Sequence, residues 1–173
     1  MLLVSDHSSY NDPMVLAATA GRPPIFLTAR EVYESLVLNW LCQTAFYIPV
    51  NRGTQDVGAV RAMLRALGRG EVIALFPEGG IDEHRQEEGH LGIGYLALKS
   101  GAPIVPASIA WDSPRPPTLG RSLLTPGKVS VRYGEPIVLP PGTPTDRHNI
   151  SLVTDRIMQA IRDLQNQESG TSP

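Results

Sequence analysis

An α/β fold, with a mostly parallel central sheet flanked by helices, is what this sequence predicts. Three observations predict it. Short apolar runs such as "LLVS" and "EVIALF" have the length and bulk of buried strands. Stretches with helical apolar spacing stand between such runs. The two kinds of segment alternate through most of the chain, as a parallel sheet with crossover helices requires.

The elements follow in order. "LLVS" is the first strand. In "DPMVLAATA", Asp12 reads as an N-cap, Pro13 as the first helical residue and Gly21 as the stop. "PPIFLTA" is the second strand. "REVYESLVLNWLCQTA" places Val32, Leu36 and Trp40 at helical spacing, with Cys42 inside the pattern as a core residue. "FYIPV" is a strand running into the loop "NRGTQD". "VGAVRAMLRALGRG" reads as a helix with Val57, Val60, Leu64 and Leu67 inward and Arg61 and Arg65 outward. Arg69 then lies near the negative end of the helix dipole.

"EVIALF" is the clearest buried strand and ends in "PEGG". "IDEHRQEEGH" reads as a polar loop and "LGIGYLALKSG" as a helix. "APIVPASIA" is a further strand. "DSPRPPTLGRSLLTPG" reads as an irregular excursion. "KVSVRYGEPI" alternates Val129, Val131 and Tyr133, as an edge strand does. "SLVTDRIMQAIRDLQNQ" is an amphipathic helix with Leu152, Ile157, Ile161 and Leu164 inward. Residues 1–168 are expected to form one domain and 169–173 a flexible tail.

Composition narrows the classes. A chain of 173 residues suits one domain with a sizeable core, and its 42% hydrophobic content is ordinary. A net charge of −2 gives no global field for nucleic acid. One cysteine permits no intrachain disulfide and points to a reducing compartment. No apolar run reaches the ~18–20 residues of a membrane span. The start lacks the charged region and cleavage site of a signal peptide. "MLLVS" already reads as a strand, so either the domain begins on a core strand or an upstream element is missing.

The chemistry begins with "HSSYND". His7 follows a strand and Asp12 opens a helix, so the chain turns back between them and their side chains can meet. A carboxylate on imidazole Nδ1 fixes the tautomer and stabilises the imidazolium, leaving the other nitrogen to take a proton. No protein nucleophile accompanies the pair, so a substrate hydroxyl is the natural one. The structural explanation is an ordinary N-cap beside a polar loop histidine. In "LFPEGG", Glu78 can bind a polyol, while Gly79 and Gly80 let backbone amides approach a ligand. Their structural explanation is a glycine turn. Arg52 in "FYIPVNRG" can bind phosphate or make a surface ion pair. His7, Arg52 and Glu78 each follow a strand, and ligands of parallel sheets gather at the strands' carboxyl ends.

"HSSYNDP", "FYIPVNRG", "LFPEGG" and "APIVPASI" stand in the order and rough spacing of four sequence blocks, and so the chain from Leu3 to about Ile137 resembles the 1-acylglycerol-3-phosphate and glycerol-3-phosphate acyltransferase family. The resemblance implies a glycerol-3-phosphate acyltransferase-like fold, here lacking an N-terminal element. It implies transfer of a fatty acyl group from a coenzyme A or acyl-carrier-protein thioester to a glycerolipid hydroxyl in phospholipid biosynthesis. The expected place is cytoplasmic, peripheral on the inner face of the membrane, with Val32–Val50 as an interfacial stretch. By the same resemblance His7 is the base and Asp12 its partner. Arg52 contacts phosphate, Glu78 and Gly79 belong to the acceptor site, and Pro106 accommodates the acyl chain. No metal or other cofactor is implied. The family commonly has Thr-Arg after "FPEG", where this chain has Gly80 and Ile81, with Arg85 in the same loop. His90 stands near the place of a usual lysine. Acceptor identity is therefore open.

Other readings compete. A non-catalytic lipid-binding domain on the same fold accommodates the altered "PEGGID". A metal hydrolase would use Asp6, His7, Asp12 and one of His84 or His90, without any metal-ligand spacing to support it. "GHLGIG" offers a nucleotide loop, without the G-x-G-x-x-G pattern.

Overall fold

The computed structural model describes residues 1–29, 47–50, 56–77, 86–114, 116 and 119–169. Six strands form its sheet: β1 (Leu2–Ser5), β2 (Pro24–Ala29), β3 (Tyr47–Val50), β4 (Val72–Leu75), β5 (Ile104–Trp111) and β6 (Val129–Tyr133). The helices are α1 (Asp12–Thr19), α2 (Val57–Gly68), α3 (Gln86–Ser100), α4 (Leu119–Leu124) and α5 (Arg147–Ser169). Sheet order is β3-β2-β4-β1-β5-β6. The first five strands run parallel, and β6 pairs antiparallel with β5 at the edge. The sequence predicted this mostly parallel α/β sheet.

Strand alternation builds two cores. Leu2 and Val4 of β1, Ile73 and Leu75 of β4, and Ile104 of β5 face one side and bury the apolar stripes of α2, α3 and α5. Leu3, Ala74, Ala107 and Ile109 face the other, with Phe26 of β2 and Leu16 of α1. The central strands β1 and β4 are buried along their whole length, as their uninterrupted apolar sequences require.

Several expectations are corrected. Asn11, not Asp12, is the N-cap of α1, and Asp12 is already helical. Asp56 caps α2 by accepting from Ala59 N at 3.0 Å. The buried stripe of α2 is Ala59, Met63, Ala66 and Leu67, which leaves Val57, two residues and about 200° from Ala59, 55% exposed. Helix α3 begins at Gln86, inside the segment read as a loop. That first turn carries no apolar period, but Gln86, Glu87 and Glu88 suit a helix N-terminus. "GHLGIG" therefore lies within a helix and is no phosphate loop. The proline-rich excursion holds the short helix α4. Helix α5 starts four residues before Ser151, at Arg147, where Asp146 Oδ1 accepts from Asn149 N at 2.9 Å. Val153 and Thr154 turn inward beside Ile157, Ile161 and Leu164, while Leu152 is exposed. Arg69 pairs with Glu71, its Nε 2.8 Å from Oε1.

Two packing details position the rest. A side chain at Gly94 of α3 would run into the Ile150 carbonyl and the Thr154 hydroxyl of α5, so glycine sets how closely these helices approach. Pro106 sits inside β5, where a missing N–H is normally costly. Its carbonyl accepts from Gly134 N at 2.8 Å, at the point where β6 has ended. The absent donor therefore falls at a break in the pairing, between the end of β6 and the isolated bridge of Ile104 with Ile137. A Cβ on Gly134 would lie 2.9 Å from Pro106 Cγ, so only glycine fits there.

Candidate active site

The loop between β1 and α1 folds around one carboxylate. Ser8 N and Ser9 N each donate to Asp12 Oδ2 at 2.7 Å. His7 Nδ1 lies 3.0 Å from the same oxygen. Trp111 Nε1, from the end of β5, donates to Asp12 Oδ1 at 2.9 Å. Asp12 is fully buried and the His7 side chain is 13% exposed. A buried carboxylate tolerates desolvation only when its lone pairs are met, and four donors meet them here.

Asp12 accepts only, so the His7 proton sits on Nδ1 in the neutral ring. Among the described residues Nε2 has no partner, which leaves it able to take a proton. The ring is held from the side as well. It stacks on Phe76 with centroids 4.4 Å apart and planes at 27°. Phe76 stacks in turn with Phe26 at 6.3 Å, and Phe26 meets Tyr47 at 5.8 Å. The four rings come from β1, β4, β2 and β3 or the residues just after them, in the order of the sheet. A row of aromatics thus fixes the histidine against its neighbours.

The neighbouring residue Asp6 serves the opposite side. It accepts from Ile109 N at 2.9 Å, from Gln165 Nε2 of α5 at 2.8 Å and from the Ser108 hydroxyl at 3.4 Å. Asp6 thereby ties β5 and α5 to the end of β1 and does not join His7 and Asp12. Among the described residues no three His, Cys, Asp or Glu side chains gather to hold a metal ion.

Helix α4 braces the loop. The Ser9 and Ser122 hydroxyls lie 3.1 Å apart, both buried, and Asn11 Nδ2 donates to the Ser122 carbonyl at 2.9 Å.

The other expected residues divide. Arg52, Glu78, Gly79, Gly80 and Arg85 lie outside the described residues, as do Cys42 and His84, and so do residues 32–46 of the interfacial stretch. Their nearest described neighbours, Val50 and Pro77, stand at the carboxyl ends of β3 and β4, the same sheet edge as His7. Pro106 is not brought to His7. It is buried on the other face, lining a cavity of about 460 Å³ with Gly134, Ile137, Ala160 and Leu164. Trp111 and Ser122 were missed by the sequence reading. For Trp111 a signal existed: it continues the alternation Val105, Ala107, Ile109 on the histidine's side of the sheet.

Comparison with known proteins follows the same lines. The model of a family described as Acyltransferase matches residues 1–110. The chain is 23% identical over 174 residues to a 1-acyl-sn-glycerol-3-phosphate acyltransferase of Bacillus subtilis (strain 168), covering 95% of this chain and 81% of that protein. It is 26% identical over 141 residues to the 1-acyl-sn-glycerol-3-phosphate acyltransferase BAT2, chloroplastic, of Brassica napus, covering 78% of this chain and 40% of that protein. It superposes on the crystal structure of the 1-acyl-sn-glycerophosphate (LPA) acyltransferase PlsC from Thermotoga maritima with a TM-score of 0.67 at 21% identity, over 100% of this chain and 68% of that one. That last likeness shows the fold.

Proposed function

The chain belongs to the Acyltransferase family, and from that premise we propose that it moves a fatty acyl group from a coenzyme A or acyl-carrier-protein thioester to a hydroxyl of a lysophospholipid acceptor of the 1-acylglycerol-3-phosphate kind. The names of the similar proteins support the acceptor class. The observation that carries the chemistry is the His7 Nδ1 to Asp12 Oδ2 contact of 3.0 Å at the carboxyl end of a central strand.

The step balances without a covalent enzyme intermediate. The acceptor hydroxyl gives its proton to His7 Nε2 while its oxygen attacks the thioester carbonyl carbon. The new C–O bond forms, the tetrahedral adduct collapses, and the C–S bond breaks. The departing thiolate takes the proton back from His7, leaving ester and free thiol. Asp12 stabilises the imidazolium between these two transfers and keeps the ring in one tautomer. By resemblance Arg52 is assigned to the acceptor's phosphate. Glu78, Gly79, Gly80 and Arg85 are assigned to its polar headgroup. Pro106, on the far face of the sheet, is assigned by the same resemblance to the acyl chain. The proposed setting is the inner face of a membrane, where such acceptors reside.

Thiol release tests the reading. Long-chain acyl-CoA and acyl-carrier-protein thioesters are each offered with a panel of lysolipids and polar acceptors, with His7→Ala beside the wild type. Acceptor-dependent release that falls at least about a hundredfold in the folded variant is expected. Release unchanged by His7→Ala would overturn the assignment. No release from folded wild type with any pair would favour a lipid-binding role.

A further inference from the structure

We propose that the surface carried by α1, α4 and β6 docks the protein on an anionic phospholipid bilayer. Among the described residues eight large hydrophobic side chains stand exposed, and five of them, Tyr10, Met14, Leu124, Val129 and Tyr133, belong to this one corner. Hydrogen bonds and strand register bring them together. Ser122 of α4 bonds Ser9 and Asn11, on either side of Tyr10. Trp111, which reaches Asp12, is the register partner of Val129. At the other end of α1 the Thr19 and Tyr133 hydroxyls lie 2.6 Å apart. Leu124 is 86% exposed and Met14 59%, because Ser122 and the pair Asp12 and Leu16 take the inward sides of their helices.

Charge is segregated onto the same elements. Residues 119–134 contain Arg121, Lys128 and Arg132 and no acid, and the nearest exposed acids on either side are Asp112, whose N–H bonds the Lys128 carbonyl, and Glu135. Residues 13–30, which include the rest of α1, also contain no acid. Arg121 and Lys128 are exposed. Apolar side chains beside two exposed cations suit an anionic lipid surface, where buried apolar area and headgroup attraction add. The two tyrosines present an apolar ring with a polar tip, which suits the headgroup level. A second copy is a poorer occupant, since a two-fold contact through this face opposes like charges. The surface flanks the His7 loop, so docking presents that loop to acceptors in the bilayer. In this the inference deepens the proposed function and rests on it.

Vesicle partition tests the surface directly. Wild type, a Met14→Asp plus Leu124→Asp variant, and a Val57→Asp plus Leu152→Asp control are sedimented with vesicles of equal parts phosphatidylglycerol and phosphatidylcholine. All four positions are exposed, so each protein should fold, which circular dichroism verifies. Wild type and control should bind alike, and the patch variant about tenfold or more weaker. Arg121→Gln and Lys128→Gln should each weaken binding to these vesicles about fivefold and leave it unchanged on pure phosphatidylcholine. Equal partition of patch variant and wild type would overturn the proposal, as would wild type that fails to bind. So would a wild-type dimer, made monomeric by the patch substitutions, that ignores vesicles. Turnover of a dispersed short-chain acceptor separates the two ideas. Its loss in the patch variant alone would overturn the surface role. Vesicle binding without turnover of any acceptor would sink the proposed reaction and leave the docking face standing.

Discussion

Replacing Asp12 with Asn keeps the shape of the side chain and removes its charge. The structure says how the amide would settle. Oδ2 faces three donors, His7 Nδ1 and the Ser8 and Ser9 amides, whereas Oδ1 faces only Trp111 Nε1. The carbonyl oxygen therefore stays at the Oδ2 position, and the new NH₂ confronts the indole N–H. One hydrogen bond is lost and two buried donors meet, at a cost of about 1–3 kcal/mol in stability. The histidine keeps its tautomer, because Nδ1 still has an acceptor. What disappears is the attraction between carboxylate and imidazolium in the transition state. Two unit charges about 4 Å apart at an effective dielectric near 20 interact by about 4 kcal/mol. At about 1.4 kcal/mol per decade, kcat for thiol release should fall about a thousandfold. Thermal denaturation beside the kinetics separates this from unfolding. A folded Asp12→Asn protein retaining more than about a tenth of wild-type kcat would refute the reasoning and leave Asp12 as a clamp on the loop. Should the variant not fold, Trp111→Phe removes only the Oδ1 donor and should cost kcat less than about tenfold.

Gly94→Ala should destabilise the fold by about 1–3 kcal/mol, read in denaturant midpoints, because α3 and α5 must separate; an unshifted midpoint would mean that the helices yield freely. Activity per folded molecule should not change. Arg52→Ala should raise KM for a phosphorylated acceptor more than for the acyl donor; equal rises would remove its assigned role. The Arg69 guanidinium holds the Glu71 carboxyl below the usual carboxylate range. A depressed folded-state value means the pair's contribution is present above the unfolded value and lost as pH falls through the folded one. Glu71→Gln should therefore lower Tm slightly at neutral pH, with the two melting curves converging in acid. Divergence in acid would reverse the sign of that linkage.

The dyad was legible because both partners sit on one short segment whose ends are marked by a strand and a proline. The sheet was legible because apolar runs as dense as "EVIALF" have few alternatives. What escaped depends on distance or on absent pattern. Trp111 approaches Asp12 across 99 residues of chain, and Ser122 approaches Ser9 across 113. The alternation along β5 places Trp111 on the histidine's side of the sheet, but no local period encodes either contact. Asp12 misled as a cap because the residue type suits both roles, and only the inward turn of the loop amides decides between them. The first turn of α3 is polar on every side, so no moment announced it. Val57 and Leu152 were assigned inward from spacing alone, but Val57 lies about 200° from Ala59, and Leu152 points away from the side of α5 that carries Val153, Ile157, Ile161 and Leu164.

Asp6 and His7 are consecutive residues, yet one binds the C-terminal helix and the other the loop that holds Asp12. The alternation of β1, continued past its end, thus sends Asp6 to one face of the sheet and His7 to the other. It also makes them report on each other. A nick or trimming in α5 that frees Gln165 from Asp6 removes one of the contacts that anchor the residue before His7, while Ile109 N still holds the other carboxylate oxygen. Through this one side-chain hydrogen bond, α5 contributes to the footing of the histidine.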